Sequence, residues 1–372
     1  MSGLGISEAT RPVFARHETF HPRHGWFRKA VVGVQDSDQV FSSDDATVRL
    51  GVGKNMVRAI RFWAHAAKVI EPISDPDSPR VSRYVESALS RALFSEGGWD
   101  PWLESTASLW LLHWMMMRPP SILPIWWIAL NDFQSVEFND DELVRYATEA
   151  VAGIDGWSSV AQSSLKKDVD CFIRMYSSVP GRKVIDDVID CPFRSLGLLA
   201  AVPGERRAHR FLVGPKPTLP DEIVAFACLD FVGNKTGLRT TTLTRLTIDP
   251  GSPGRIFRLG EEAIHESLLR LQERGLQLTV AAVGGINQLS WSGAPAERAW
   301  EILSDYFVSA SVSKHELDLP RMVEPRPTSG RPKGGAVNFE ELDAQIASES
   351  SIIQRRRLIQ LRKDLSAQAM TP

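Results

Sequence analysis

Residues 41–71, FSSDDATVRLGVGKNMVRAIRFWAHAAKVIE, constrain this chain more than any other stretch. They read as a helix-turn-helix. Ser42, Ser43 and Asp44 supply N-cap chemistry before a short helix over about 45–49. Leu50-Gly51-Val52 is the turn. Its glycine accepts a positive φ, and its apolar neighbours anchor it to a core. A second helix, over about 54–70, places Val57, Ile60, Ala64 and Ala67 on one face. Lys54, Asn55, Arg58, Arg61 and Lys68 fall largely elsewhere, with no acid among them. A DNA-reading helix needs that arrangement: an apolar face for packing, and a cationic, amide-bearing face for phosphates and base edges. The plainer alternative is an amphipathic helix with a solvated basic face.

Two motifs in this region mislead. Gly51-Val52-Gly53-Lys54 looks like part of a phosphate loop, but Val48 stands where the first glycine belongs and Asn55 replaces the Mg²⁺-binding hydroxyl. His17-Glu18-x-x-His21 matches the H-E-x-x-H zinc signature in form only. Pro12 and Pro22 leave no room for the helix that would turn both imidazoles to one metal. His17 and Glu18 are better read as a structural pair, or as part of a polar site beside the helix-turn-helix.

The 372 residues suffice for two or three domains. A net charge of −2 excludes a general polycation, so any nucleic-acid surface is a local patch. Residues 11–68 carry such an excess, ten Lys or Arg against five Asp or Glu. Cys171, Cys191 and Cys228 lie far apart without a C-x-x-C, which argues against a zinc site or a disulfide framework and suits a reducing cytoplasm. No signal peptide is expected. The apolar run 109–130 contains His113, Arg118 and three prolines, so no membrane span is expected either.

The fold expected is mainly α with small β-hairpins. Residues 1–84 read as the helix-turn-helix or winged-helix domain, with 71–84 a turn-rich connection. Residues 85–200 read as an all-α core, in which the tryptophans and Met115–Met117 are packing residues. Residues 201–319 read as a second winged-helix-like α+β domain. Its order is a helix over 221–231, a short helix over 240–248, an amphipathic helix over 260–274, and a hairpin around Gly284-Gly285. Residues 320–338 read as a basic Pro/Gly linker and 339–372 as a tethered C-terminal helix. A tethered helix cannot bury its apolar stripe alone, so docking on its own chain, a second copy or another protein is expected.

Several stretches together resemble a known family. They are His17-Glu18-Thr19-Phe20 with Gly25-Trp26, the run from Asp44 to Arg61, Trp99-Asp100-Pro101-Trp102-Leu103-Glu104 with Leu109 to Trp114, and Gly251-Ser252-Pro253-Gly254-Arg255-Ile256-Phe257. The chain resembles the SspB-type family over roughly residues 14–310. The resemblance implies a bacterial component of single-strand DNA phosphorothioation, a phage-defence modification in which sulfur replaces a non-bridging phosphate oxygen. It implies work beside sulfur-transfer and ATPase components, with this member nicking DNA.

Two functions follow. The first is a metal-dependent nickase, since phosphodiester hydrolysis without a covalent intermediate usually uses Mg²⁺ or Mn²⁺ held by carboxylates. Its candidate catalytic residues are His17, Glu18, Asp44 and Asp45, with Glu18 and Asp44 as metal ligands. Helix capping is the plainer reading of Asp44 and Asp45. The second is a non-catalytic adaptor that positions the sulfur-transfer machinery. Either would bind double-stranded DNA through Lys54, Asn55, Arg58 and Arg61, with Arg23, Arg28, Arg255, Arg258 and Arg270 as further phosphate contacts. A homodimer is expected, because reading a two-fold site favours a symmetric pair.

Overall fold

The structure is a computed structural model, described for residues 4–73, 82–157, 159–177, 191–205, 207–233 and 238–318, with side chains to residue 310. The linker and terminal helix expected over 320–372 lie outside the described residues. Met1–Ser304 pack as one compact unit, and a second unit begins at Asp305. The described residues are mainly helical, with small antiparallel sheets.

The chain opens with α1 (Ile6–Ala9), then α2 (Trp26–Asp36), α3 (Ala46–Leu50) and α4 (Lys54–Ala66). Strands β1 (Ile70–Ile73) and β2 (Arg83–Glu86) follow as an antiparallel pair. Gly51 ends α3 at φ +62°, a left-handed turn that suits glycine. The capping expectation needs correction. Asp45 holds the N-cap position of α3, but its side chain makes no cap hydrogen bond. Ser42 and Ser43 donate to the carbonyls of Ser82 and Val40 instead. Helix α4 also ends earlier than periodicity suggests. Lys68 turns left-handed at φ 55°, and Ile70 already pairs with Glu86.

The middle of the chain comprises α5 (Ala88–Phe94), α6 (Thr106–Met117), α7 (Pro124–Trp127), β3 (Glu137–Asn139), α8 (Asp140–Ala152), α9 (Gln162–Tyr176), β4 (Leu199–Ala201) and β5 (Ala208–Phe211). Helix α7 runs into a π-helical turn over Ile128–Asp132, and a 3-10 turn spans Pro192–Leu196. An all-α core was expected here, yet β3, β5 and β4 form a sheet in that order. Strands this short carry too few residues for a two-residue alternation to register. Helix α6 is the centre of the fold. Every residue from Ala107 to Met117 is buried, and the helix stops just before Pro119-Pro120.

The last elements are α10 (Asp221–Val232), β6 (Thr240–Thr242), α11 (Leu243–Ile248), α12 (Pro253–Phe257), α13 (Glu261–Glu273), β7 (Leu278–Val283), β8 (Ile286–Trp291) and α14 (Pro295–Asp318). The threonine-capped helix expected over 240–248 begins at Leu243: Thr240–Thr242 form a strand, and Thr242 supplies the cap of α11 by accepting from Arg245 N. The sheet order is β6-β8-β7. Gly284 and Gly285 both take positive φ, which matches the right-handed twist of a tight hairpin.

Buried polar contacts tie the middle and last stretches together. Burial pushes the His113 pKa down to about 4, so the ring is neutral. Its Nε2 lies 2.9 Å from the Ile256 carbonyl, which can only accept. The proton is therefore on Nε2, and Nδ1 accepts from the Tyr176 hydroxyl at 2.8 Å. One imidazole thus fixes α6, α9 and α12 to each other. Trp114 Nε1 and Arg118 Nε likewise donate to the buried Asp230 carboxylate, at 2.9 and 2.8 Å. The three cysteines are buried thiols outside any disulfide.

Candidate nucleic-acid interface

Helix α4 buries Val57, Ala59, Ile60, Phe62, Trp63, Ala64 and Ala66, and leaves Lys54, Asn55 and Arg58 exposed. Arg61 is half-buried. Positions 54, 58 and 61 share one face at helical spacing. Among the described residues, Lys54, Asn55 and Arg61 have no hydrogen-bond or ion-pair partner. Exposed cations without internal acids are what a polyanion needs to meet. Lys68 does not join them. Its ammonium donates to the carbonyls of Arg118 and Pro120, at 2.8 and 3.0 Å, and burial lowers its pKa to about 8.

The segment before α2 positions the candidate acid. Ala15, Glu18 and Thr19 take φ of 55°, 51° and 66°. Non-glycine residues resist that region, and such strain persists only where surrounding contacts enforce it. The main anchor is His17, which is fully buried with Nε2 2.6 Å from Asp168 Oδ1. Phe62, Trp63 and Trp126 surround the ring at centroid distances of 6.0, 6.1 and 6.0 Å. Asp168 also accepts from Ala15 N, and Arg174 donates to Thr19 O. Burial raises the Asp168 pKa, while the His17 hydrogen bond opposes it. His17 is therefore corrected from a catalytic candidate to a packing one, because an imidazole without solvent access cannot reach a phosphate. His21 is buried as well, with Nδ1 near the Pro22 carbonyl. Glu18, between them in sequence, is partly exposed, 3.6 Å from Arg58.

Asp44 and Asp45 are exposed at the start of α3. Asp45 lies 3.9 Å from Arg49, which also pairs with Asp36. Asp44 has no hydrogen-bond or ion-pair partner among the described residues. Those residues contain no group of three or more His, Cys, Asp or Glu that could hold a metal ion. Glu18 and Asp44 belong to no such group.

The remaining arginines divide. The Arg23 guanidinium lies over the Phe20 and Trp26 rings at 5.8 and 5.7 Å. The Arg28 guanidinium stacks on Trp102 at 3.8 Å and donates to Pro101 O. Arg255 donates to Ile248 O and Gln134 Oε1. Arg258 turns inward, a further correction. Its guanidinium lies 3.8 Å over Phe211 and donates to Ala129 O, and burial lowers its pKa to about 10. Helix α13 contrasts with α4: it carries Glu261, Glu262, Glu266 and Glu273 against Arg270. Arg270 is held bidentate by Asp221 at 2.8 and 2.9 Å, and Arg274 binds Asp221 and Glu222. Acids outnumber and pair with the arginines on this surface. Motif reading overlooked Asp132, at the end of the π-helical turn, whose pKa burial pushes up to about 6 despite Arg255 nearby.

A family model, "Protein of unknown function (DUF4007)", matches residues 14–307. The SspB crystal structure is similar at 35% identity and a TM-score of 0.76, covering 81% of this chain and 90% of that one. The magnesium ion-bound SspB crystal structure is similar at 35% identity and a TM-score of 0.77, with the same coverage. No curated protein matches the chain. Among the described residues no helix is long and apolar enough to cross a membrane.

Proposed function

The chain belongs to the DUF4007 family, and from that premise we propose that it is the DNA-binding, strand-opening component of a DNA phosphorothioation system. The observation that carries this reading is the α4 face, where Lys54, Asn55 and Arg61 have no acid partner among the described residues and Arg58 meets Glu18 at 3.6 Å. The order α2, α3, α4 and the β1–β2 hairpin supports a winged helix, with α4 as the helix that enters the major groove. The order α10, β6, α11, α12, α13, β7, β8, with sheet order β6-β8-β7, supports a second one. Its acidic α13 suits a protein partner, such as a sulfur-transfer or ATPase component, better than DNA.

Glu18 is the candidate acid for nicking. A phosphate that takes Arg58 would release Glu18 from its ion pair, beside the backbone, to accept a proton from an attacking water. The magnesium-bound relative supports a role for Mg²⁺. The donors described here do not gather around one ion, so no step is assigned to a metal. A second reading is a DNA-binding adaptor without cleavage of its own. We further propose that the protein works as a cytoplasmic homodimer; the mass in solution of the full chain and of a variant lacking residues 320–372 tests the pairing and whether that region carries it.

A supercoiled-plasmid assay separates the two. Conversion to open circles with Mg²⁺ or Mn²⁺, but not with EDTA, establishes the nickase. A plasmid that shifts on a gel and stays supercoiled establishes the adaptor.

A further inference from the structure

A cleft of about 770 Å³ opens beside the turn that leads into α4, between α2, the end of α3 and the 102–104 loop. That volume falls within the roughly 300–1,000 Å³ usual for ligand sites. Of its large apolar lining residues Trp102 is the most exposed, at 62% accessible. The exposure is built in. Leu103 takes φ 54°, a conformation that a leucine resists, and is itself 3% accessible. The chain thus turns Leu103 inward and leaves the indole out. Asp100 holds the loop rigid by accepting from Glu104 N, Ser105 N and Ser108 Oγ. Arg28 covers one side of the indole at 3.8 Å.

Arg28, Lys29 and Arg49 line the cleft together with Asp36 and Glu104, and Asp36 pairs with Arg49. Arg28 donates to Pro101 O and Lys29 to Leu50 O, and neither meets a carboxylate among the described residues. An exposed aromatic ring in a cleft whose Arg28 and Lys29 meet no carboxylate is complementary to a planar base with its phosphate. We propose that this cleft binds an unpaired nucleotide of a DNA strand, its base stacked on Trp102 and its phosphates near Arg28 and Lys29. This deepens the DNA-binding reading and rests on it: Leu50, in the cleft wall, immediately precedes the turn into α4. Duplex held by α4 would deliver its displaced strand to Trp102.

The test compares the full-length wild type with Trp102→Ala, Trp102→Phe and Lys54→Ala by fluorescence anisotropy. The probes are a labelled oligothymidylate and a labelled duplex. A base–aromatic stack is worth about 1–3 kcal/mol, so Trp102→Ala should weaken oligothymidylate binding roughly tenfold or more. Trp102→Phe should recover much of that loss, and duplex affinity should change less than about twofold. Lys54→Ala should do the reverse. Wild-type binding of oligothymidylate by Trp102→Ala overturns the proposal, as does failure of the wild type to bind it. Competition by thymidine monophosphate as strong as by the strand also overturns it. Intact duplex binding by Lys54→Ala, with oligothymidylate lost in Trp102→Ala, overturns the α4 reading and keeps the cleft.

Discussion

His17 Nε2 lies 2.6 Å from Asp168 Oδ1, across 151 residues of sequence, and this contact orients the residue that follows it. With His17 locked into the Phe62–Trp63–Trp126 aromatic cluster, Glu18 is forced left-handed and outward, to within 3.6 Å of Arg58. The candidate acid is thus displayed by the core.

Separating that pair should cost stability before it costs binding. His17→Ala leaves a buried carboxylate without its partner, a change worth about 3–5 kcal/mol. Thermal unfolding should move down by on the order of 10 °C. An unchanged melting temperature would mean that the pair does not anchor the loop.

Glu18→Gln keeps the size of the side chain and removes its charge. Under the nickase reading, plasmid nicking should fall by about 10²-fold or more. Duplex affinity should hold or rise, since Arg58 no longer faces an anion. Full nicking activity in the variant would remove Glu18 from the chemistry.

Lys54→Ala, Arg58→Ala and Arg61→Ala should each weaken duplex binding and lower the salt slope by about 1, because each phosphate contact releases a counterion. Arg270→Ala, on the acidic α13, should leave both unchanged. Titrations across a salt series read the two quantities together. Equal effects from all four variants would deny α4 any special role.

Asp132 provides a pH signature. Its native pKa is raised to about 6 from 3.8, so the native fold favours the protonated carboxyl. The stability this contributes is complete below about pH 4 and is lost as pH rises through 6. Asp132→Asn should remove that loss. The variant should gain on the order of 1 kcal/mol over wild type between pH 4 and 7, after allowance for solvent screening. Melting temperatures across that range test it, and parallel curves would refute it.

Gly254 is required by close approach. A Cβ there would fall on the Thr247 backbone. Gly254→Ala must shift α11 from α12 and should cost at least about 1–3 kcal/mol, visible as a lower melting temperature. An unchanged one would show that the two helices can separate freely.

Local pattern was enough for the helices and for the chemistry of α4. A 3.6-residue period and the separation of Lys54, Arg58 and Arg61 from Val57, Ile60 and Ala64 are properties of consecutive residues, so the sequence by itself determined which face is cationic. The amphipathic α13 and the hairpin around Gly284-Gly285 were legible for the same reason. Sheet β3-β5-β4 was not, because strands of three or four residues show their partners only in space. Nor was the fate of individual polar groups. Lys54 and Lys68 are alike on a helical wheel, as are Arg255 and Arg258 in the sequence. Only tertiary structure decided that Lys68 caps carbonyls at Arg118 and Pro120, and that Arg258 covers Phe211. The same holds for His17 and Glu18, adjacent in sequence and opposite in fate. Which of two polar neighbours is buried depends on whether a distant partner can offset its desolvation, and Asp168 does so for His17.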